Sequence, residues 1–250
     1  MWLPIVFLIG LVASVTGGYK YAHWKYNRKE LVWKASGVES AIISFYGLLL
    51  SFTLLSSGNA MKDRLALVHQ HADALSELYL QSGFLNNPLK AELQGYVVNV
   101  LEIKIAYSKA PRREQLSWEK KADQLTRSLW RTILATGRNS TKLQLEVVQI
   151  ASALHRASAI GYRSFYSNHD RLPVTIIVLV VLGAWLVGIL VGFMNGFNRE
   201  HHLLVPLIFI VLTSLTILTI LDLNNPALGQ IRPSFENYAD LLQYLRQAQS

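Results

Sequence analysis

The 250 residues are 51% hydrophobic and only 16% charged, with a formal net charge of +8. Ordinary soluble domains carry about a quarter charged residues, so the chain reads as an integral membrane protein. It has no cysteine, which excludes disulfides, thiolate metal sites and cysteine nucleophiles.

In chain order, the first candidate element is residues 1–17, MWLPIVFLIGLVASVTG. It lacks the basic leader region and the small-residue cleavage site of a signal peptide, so an uncleaved membrane helix is expected. The linker Gly18 to Ser36 follows, with Lys20, Lys25, Arg28, Lys29 and Lys34 against a single acid, Glu30. Basic residues beside a span favour the cytoplasmic face and anionic headgroups, and this, not nucleic-acid binding, is the reading given to the positive charge.

The second span, Gly37 to Ser57, has one acid near its start, Glu39. A carboxylate there suits the N-terminal end of a helix dipole, in preference to a gating or ion site. At about 100° per residue, Ser36, Ser40, Ser44, Gly47, Ser51 and Gly58 fall within an arc of roughly 80°, with Phe45, Leu49 and Phe52 nearly opposite. Two readings stand. Small side chains let helices pack closely, and hydroxyl dipoles along a water-lined path stand in for an ion's hydration.

A polar region, residues 58–171, then holds sixteen Lys and Arg against ten Asp and Glu. Its turn-forming breaks, GFLNNP, SKAPRRE and TGRNST, divide it into four helices. The first continues the second span, because Gly58 costs only about 1 kcal/mol in a helix. The others are expected over Leu89 to Tyr107, Glu114 to Ala135 and Lys142 to Tyr166, with Ser140 or Thr141 as an N-cap. His69 and His71 lie two apart and project about 160° from one another on a helix, so they do not share a metal.

Two further spans follow, Leu172 to Asn195 and Leu203 to Leu221, uncharged over the roughly twenty residues that a crossing needs. In the first of them Ala184, Gly188, Gly192 and Gly196 repeat every four residues, the spacing of close helix contact. Whether that contact is with another span or another subunit is open. His201 and His202 occupy the short turn between the two spans. Asp222 closes the last span, where a carboxylate faces the unfavourable dipole end and needs a partner. No phosphate-cradling loop, nucleophile elbow or HExxH helix is present, so neither an enzyme nor a cofactor is expected.

Several stretches together carry a family resemblance. SGVESAIISFYGLLLSF running into MKDRLALVHQHADALSELYL, RLP before the third span, and LDLNNPALGQIRPSFENYADLL after the fourth resemble the bestrophin-like domain family of unknown function. The most specific pieces are Gly37 with the Tyr46 to Phe52 region, the run His71 to Leu75, and Asp222 with Pro226 and Gly229. His71 stands where the family usually has a glutamate. The helix-period runs, with no strand alternation, make the chain all-α, with an inserted helical domain over residues 58–171 between segments 1–57 and 172–222 and a motif and helix over 223–250; the resemblance implies the same four spans and inserted helical region.

It also implies a distant likeness to bestrophins, pentameric anion channels whose second membrane helix lines the pore and whose helical domain is cytoplasmic. With Gly47 in place of the pore glycine of those channels, Ser40, Ser44 and Leu48 become pore-facing, and the wheel adds Ser51. The expected function is therefore an oligomeric, anion-conducting channel of the inner membrane. The partners are the lipid bilayer, inorganic anions and copies of the same chain. The alternative is a non-conducting membrane scaffold or signalling protein whose helical domain binds a partner. The charge of residues 18–36 taken alone would put the helical domain outside; the resemblance puts it in the cytoplasm, and that reading is preferred.

Overall fold

The computed structural model describes residues 3–27, 36–139, 144–197, 203–225, 231 and 233–247. Among these residues there are eight helices and no strand: α1 Leu3–Asn27, α2 Val38–Ser82, α3 Leu89–Lys109, α4 Arg112–Asn139, α5 Gln144–Ser167, α6 Val174–Phe197, α7 Leu204–Leu223 and α8 Glu236–Gln247. Helices α1, α2, α6 and α7 are long and apolar enough to cross a membrane. The chain is an all-α, multi-pass protein.

It forms two compact units. One comprises Met1–Asn59 with Arg171–Asn225, the other Ala60–Asp170 with Pro226–Ser250. The 45-residue helix α2 contributes to both.

The helical unit has a continuous apolar core. Val68, Leu75 and Leu78 of α2 pack with Leu93, Val97 and Leu101 of α3, Leu129 and Ile133 of α4, Ile150 and Leu154 of α5, and Leu242 and Leu245 of α8. Each recurs at three-, four- or seven-residue intervals, so each helix turns one stripe inward, and each such side chain contributes about 1.5–3 kcal/mol on burial. Arg64, only 3% exposed, donates to the backbone carbonyls of Ser167 (3.0 Å) and Asp170 (2.6 Å). Its charge thus satisfies carbonyls left open at the end of α5.

The span unit is packed more sparsely. Its core is Phe7 and Leu11 of α1, Tyr46 of α2, Val180, Ala184, Val187 and Val191 of α6, and Ile217 of α7. Many other large apolar side chains of these helices stay bare, among them Ile9, Phe45, Leu186 and Leu212. That is costly in water and neutral against lipid tails.

Three expected boundaries are corrected. Residues 18–27 are not linker, since α1 runs through Gly17 and Gly18 to Asn27. Gly18 lies hard against the backbone carbonyl of Ile189, so the missing side chain permits a close helix contact whose gain outweighs the helix penalty of glycine. The remainder of the basic linker, residues 28–35, lies outside the described residues. Helix α4 likewise continues past Ala135 to Asn139, with Gly137 closely facing Val147 of α5. Helix α3 runs on to Lys109, where Ala110 leaves helical geometry one residue before Pro111, as the residue preceding a proline tends to do. The expected caps Ser140 and Thr141 and the pair His201 and His202 lie outside the described residues.

Candidate pore-facing surface on α2

Helix α2 opens with a reciprocal cap. The Ser36 amide donates to Glu39 Oε2 at 3.2 Å, the Ser36 hydroxyl to the same carboxylate at 3.1 Å, and the Val38 amide to Ser36 Oγ at 3.4 Å. This is the pairing of a capping box, which satisfies amides that a helix start leaves open. Gly37, with φ +84°, occupies the left-handed region that a side chain would disfavour. The carboxylate of Glu39 is engaged at the helix end.

Within the membrane-crossing part of α2, a narrow line is covered. Tyr46, Thr53 and Ser57 are buried, and they fall within an arc of about 40° on the helix. The Tyr46 hydroxyl donates to the Val180 carbonyl of α6 at 3.1 Å, and its ring lies against Gly183, where a Cβ would come within 2.8 Å of it. The hydroxyls of Thr53 and Ser57 bond back to the carbonyls of Leu49 and Thr53.

The face proposed from sequence lies away from this line. Ser40, Ser44, Gly47, Leu48 and Ser51 are all exposed, and a Cβ built on Gly47 meets nothing within 4 Å. Ser51 donates to the Gly47 carbonyl at 2.9 Å. Phe45 and Phe52, on another side, are bare as well, at 71% and 62% exposure. One flank of α2 is therefore bulky and apolar and another is small and hydroxylated, and neither is covered by the described helices.

The glycine stripe of α6 is fully engaged. Ala184, Gly188, Gly192 and Gly196 are buried, and their partner is α1. A Cβ at Gly188 would sit 3.3 Å from Ser14 Cβ, one at Gly196 would sit 2.5 Å from the Tyr19 carbonyl oxygen, and one at Gly192 would overlap the Val15 carbonyl. Trp185 Nε1 adds a bond to the Phe7 carbonyl at 3.3 Å. This answers the question left open by spacing, because the stripe joins two spans of one chain.

Asp222 is half-buried at the end of α7, where its carbonyl accepts from the Asn225 amide at 3.0 Å; Pro226 and Gly229 lie outside the described residues. The motif's neighbours have a visible role. Buried Asn224 accepts the Leu172 amide on Oδ1 at 2.6 Å, and Arg171 Nη2 donates to Asn225 Oδ1 at 3.3 Å. The segment entering α6 is thus pinned to the end of α7. The motif pieces RLP and LDLNNP, 50 residues apart, meet here.

A second meeting of motif pieces lies in the helical unit. His71 and Tyr238, 3% and 1% exposed, share a hydrogen bond of 2.9 Å between Nδ1 and the phenolic oxygen. Burial, with the Lys104 ammonium adding to it, holds the imidazole down to about 3. The same burial pushes the Tyr238 phenol well above its ordinary range, so both groups are neutral near pH 7. A Cβ on Gly161 of α5 would come within 2.9 Å of His71 Nε2, so the imidazole fits only beside a glycine. His69 is exposed. Among the described residues no three His, Asp or Glu side chains gather as a metal site.

Four crossing helices, a helical unit inserted between the second and third, and no strand among the described residues define an all-α integral membrane protein in contact with the lipid bilayer. Residues 35–234 match the Bestrophin-like domain, and the chain belongs to that family. Membership points to a channel-related role in a membrane. No curated protein and no solved structure matches the chain.

Proposed function

We propose that the protein is an oligomeric, anion-conducting channel in which Ser40, Ser44, Gly47, Leu48 and Ser51 of α2 face a central water-filled axis. The supporting observation is that this face is exposed among the described residues, while the other small-residue stripe of the span unit is closed against α1. Against lipid, a hydroxyl face gains nothing over leucine; toward a shared axis, hydroxyl dipoles replace part of an ion's hydration. Copies related by cyclic symmetry would each bring the same face to the axis, and the family resemblance implies five. In this reading the membrane is the inner one, the helical unit is cytoplasmic, and transport needs neither a catalytic step nor a cofactor.

The test is chloride flux from proteoliposomes. Ser44→Trp is expected to abolish it while the mass of the purified assembly stays that of wild type. Unaltered flux in that variant overturns the pore assignment. A wild-type chain that is monomeric and passes no ion is instead an anchored scaffold whose helical unit binds a partner.

A further inference from the structure

Helix α4 carries a surface that does not depend on conduction. Counted at 100° per residue, Arg113, Lys120, Arg127 and Arg131 lie within an arc of about 40° along roughly 27 Å of the helix. All four are exposed. Of the three acids of α4, one is turned away from this file and two flank it. Glu119 pairs with the buried Lys104 at 2.8 Å. Asp123 accepts from the Tyr162 hydroxyl and lies 2.5 Å from Arg127 Nη2. Glu114 stands about 100° round from Arg113, yet its Oε1 reaches to 3.5 Å from Arg113 Nε in an exposed pair. Leu116 and Leu134 lie along one flank of the cationic file, at 55% and 54% exposure, while Leu129 and Ile133 fill the core from the far side.

We infer that this ridge docks an acidic α-helix of a partner protein. Arg113, Lys120 and Arg127 are seven residues apart, about 10.5 Å of rise, which is the repeat at which a second helix lying alongside presents one face. Glutamates at that spacing would meet Lys120 directly and exchange for the exposed pairs of Arg113 with Glu114 and Arg127 with Asp123, which contribute little in water, and leucines beside them would cover Leu116 and Leu134. Charge complementarity of this kind sets orientation and speeds encounter. An anionic bilayer fits the ridge less well. A flat surface touches a wide arc, and Asp123 and Glu114, about 80° and 100° to either side of Arg113, would be pressed toward the headgroups.

The experiment uses the full chain in phosphatidylcholine nanodiscs and a fluorescent helical peptide as long as α4, with glutamates every seven residues and leucines alongside. A second peptide of identical composition spreads its glutamates around the helix. The aligned peptide is expected to bind about tenfold tighter or better, a difference of roughly one strong charge pair. Lys120→Glu with Arg131→Glu should remove that preference and transfer binding to a lysine version of the aligned peptide. Lys120→Gln with Arg131→Gln, which keeps strong helix formers, should give a smaller loss, and circular dichroism should show unchanged helicity in both variants. Equal binding of the two acidic peptides overturns the inference. So does a ridge whose cations capture phosphatidylglycerol vesicles but not the aligned peptide, which would assign it to lipid.

Discussion

Two stripes of small residues, one on α6 and one on α2, look alike in sequence and meet opposite fates. The α6 stripe is closed so tightly against α1 that a methyl group at Gly192 would overlap a backbone carbonyl, whereas the space outside Gly47 on α2 is empty to 4 Å. Four-residue spacing states only that one side of a helix is thin. What occupies the thin side differs: another span of the same chain on α6, and none of the described residues at Gly47 on α2. The hydroxyls mark the difference. The α6 stripe is Ala and Gly alone, suited to dry backbone contact, while the α2 face has serines at three of its five positions.

The contrast is broken most severely at Gly192. Gly192→Leu forces a side chain into the Val15 backbone, which cannot move as a side-chain tip would; a loss of ~3 kcal/mol or more is expected, read as loss of monodisperse protein and a lowered unfolding temperature in detergent. If Gly192→Leu folds as well as wild type, α1 and α6 are not joined as described.

Buried polar groups sharpen the same comparison, because unlike the α2 serines they have no access to water. His71 binds its proton with a pKa near 3 when folded, against an ordinary value near 6.5. Below about pH 6.5 the unfolded chain therefore takes up a proton that the folded chain refuses, and stability falls by ~1.4 kcal/mol per pH unit until the folded value is reached. Thermal unfolding at pH 7.5 and 4.5 should show this loss in wild type, and a smaller one in His71→Gln. Equal acid sensitivity in the two proteins would mean that His71 is not the group responsible.

Asn224→Ala leaves the Leu172 amide without its acceptor, a cost of about 1–2 kcal/mol, expected as a lower unfolding temperature with the mass of the purified protein unchanged. The smallest effect belongs to Gly47→Ala. A methyl group there meets none of the described residues within 4 Å, and replacing a mid-helix glycine contributes roughly 0.5–1 kcal/mol of stability. Folding should be unharmed, so if the proposed channel conducts, a fall in chloride flux in that variant reports on the proposed axis rather than on the subunit. A destabilised Gly47→Ala would show that the α2 face is closed by a neighbouring helix.

Much of the helix plan was legible because uncharged runs of spanning length and turn-forming clusters are local signals. The continuity of α2 through Gly58 follows from a single glycine being too weak a breaker. The early stop assigned to the first helix has the same origin: Gly17 and Gly18 look like an end, and only the fit of Gly18 against Ile189 makes helix there favourable. The pairs His71–Tyr238 and Leu172–Asn224 join residues 167 and 52 positions apart. Periodicity says nothing about such distances. The family motifs marked both regions without indicating that they touch.

Composition and periodicity alone determined that this is a membrane protein of helices with an inserted helical unit, since transfer of apolar runs to lipid and the 3.6-residue repeat depend only on neighbours along the chain. Tertiary structure decided which small-residue stripe is filled and which is bare, and which polar side chains are buried with partners. Those outcomes depend on what stands within a few ångströms across space, and close packing makes that a matter of single atoms.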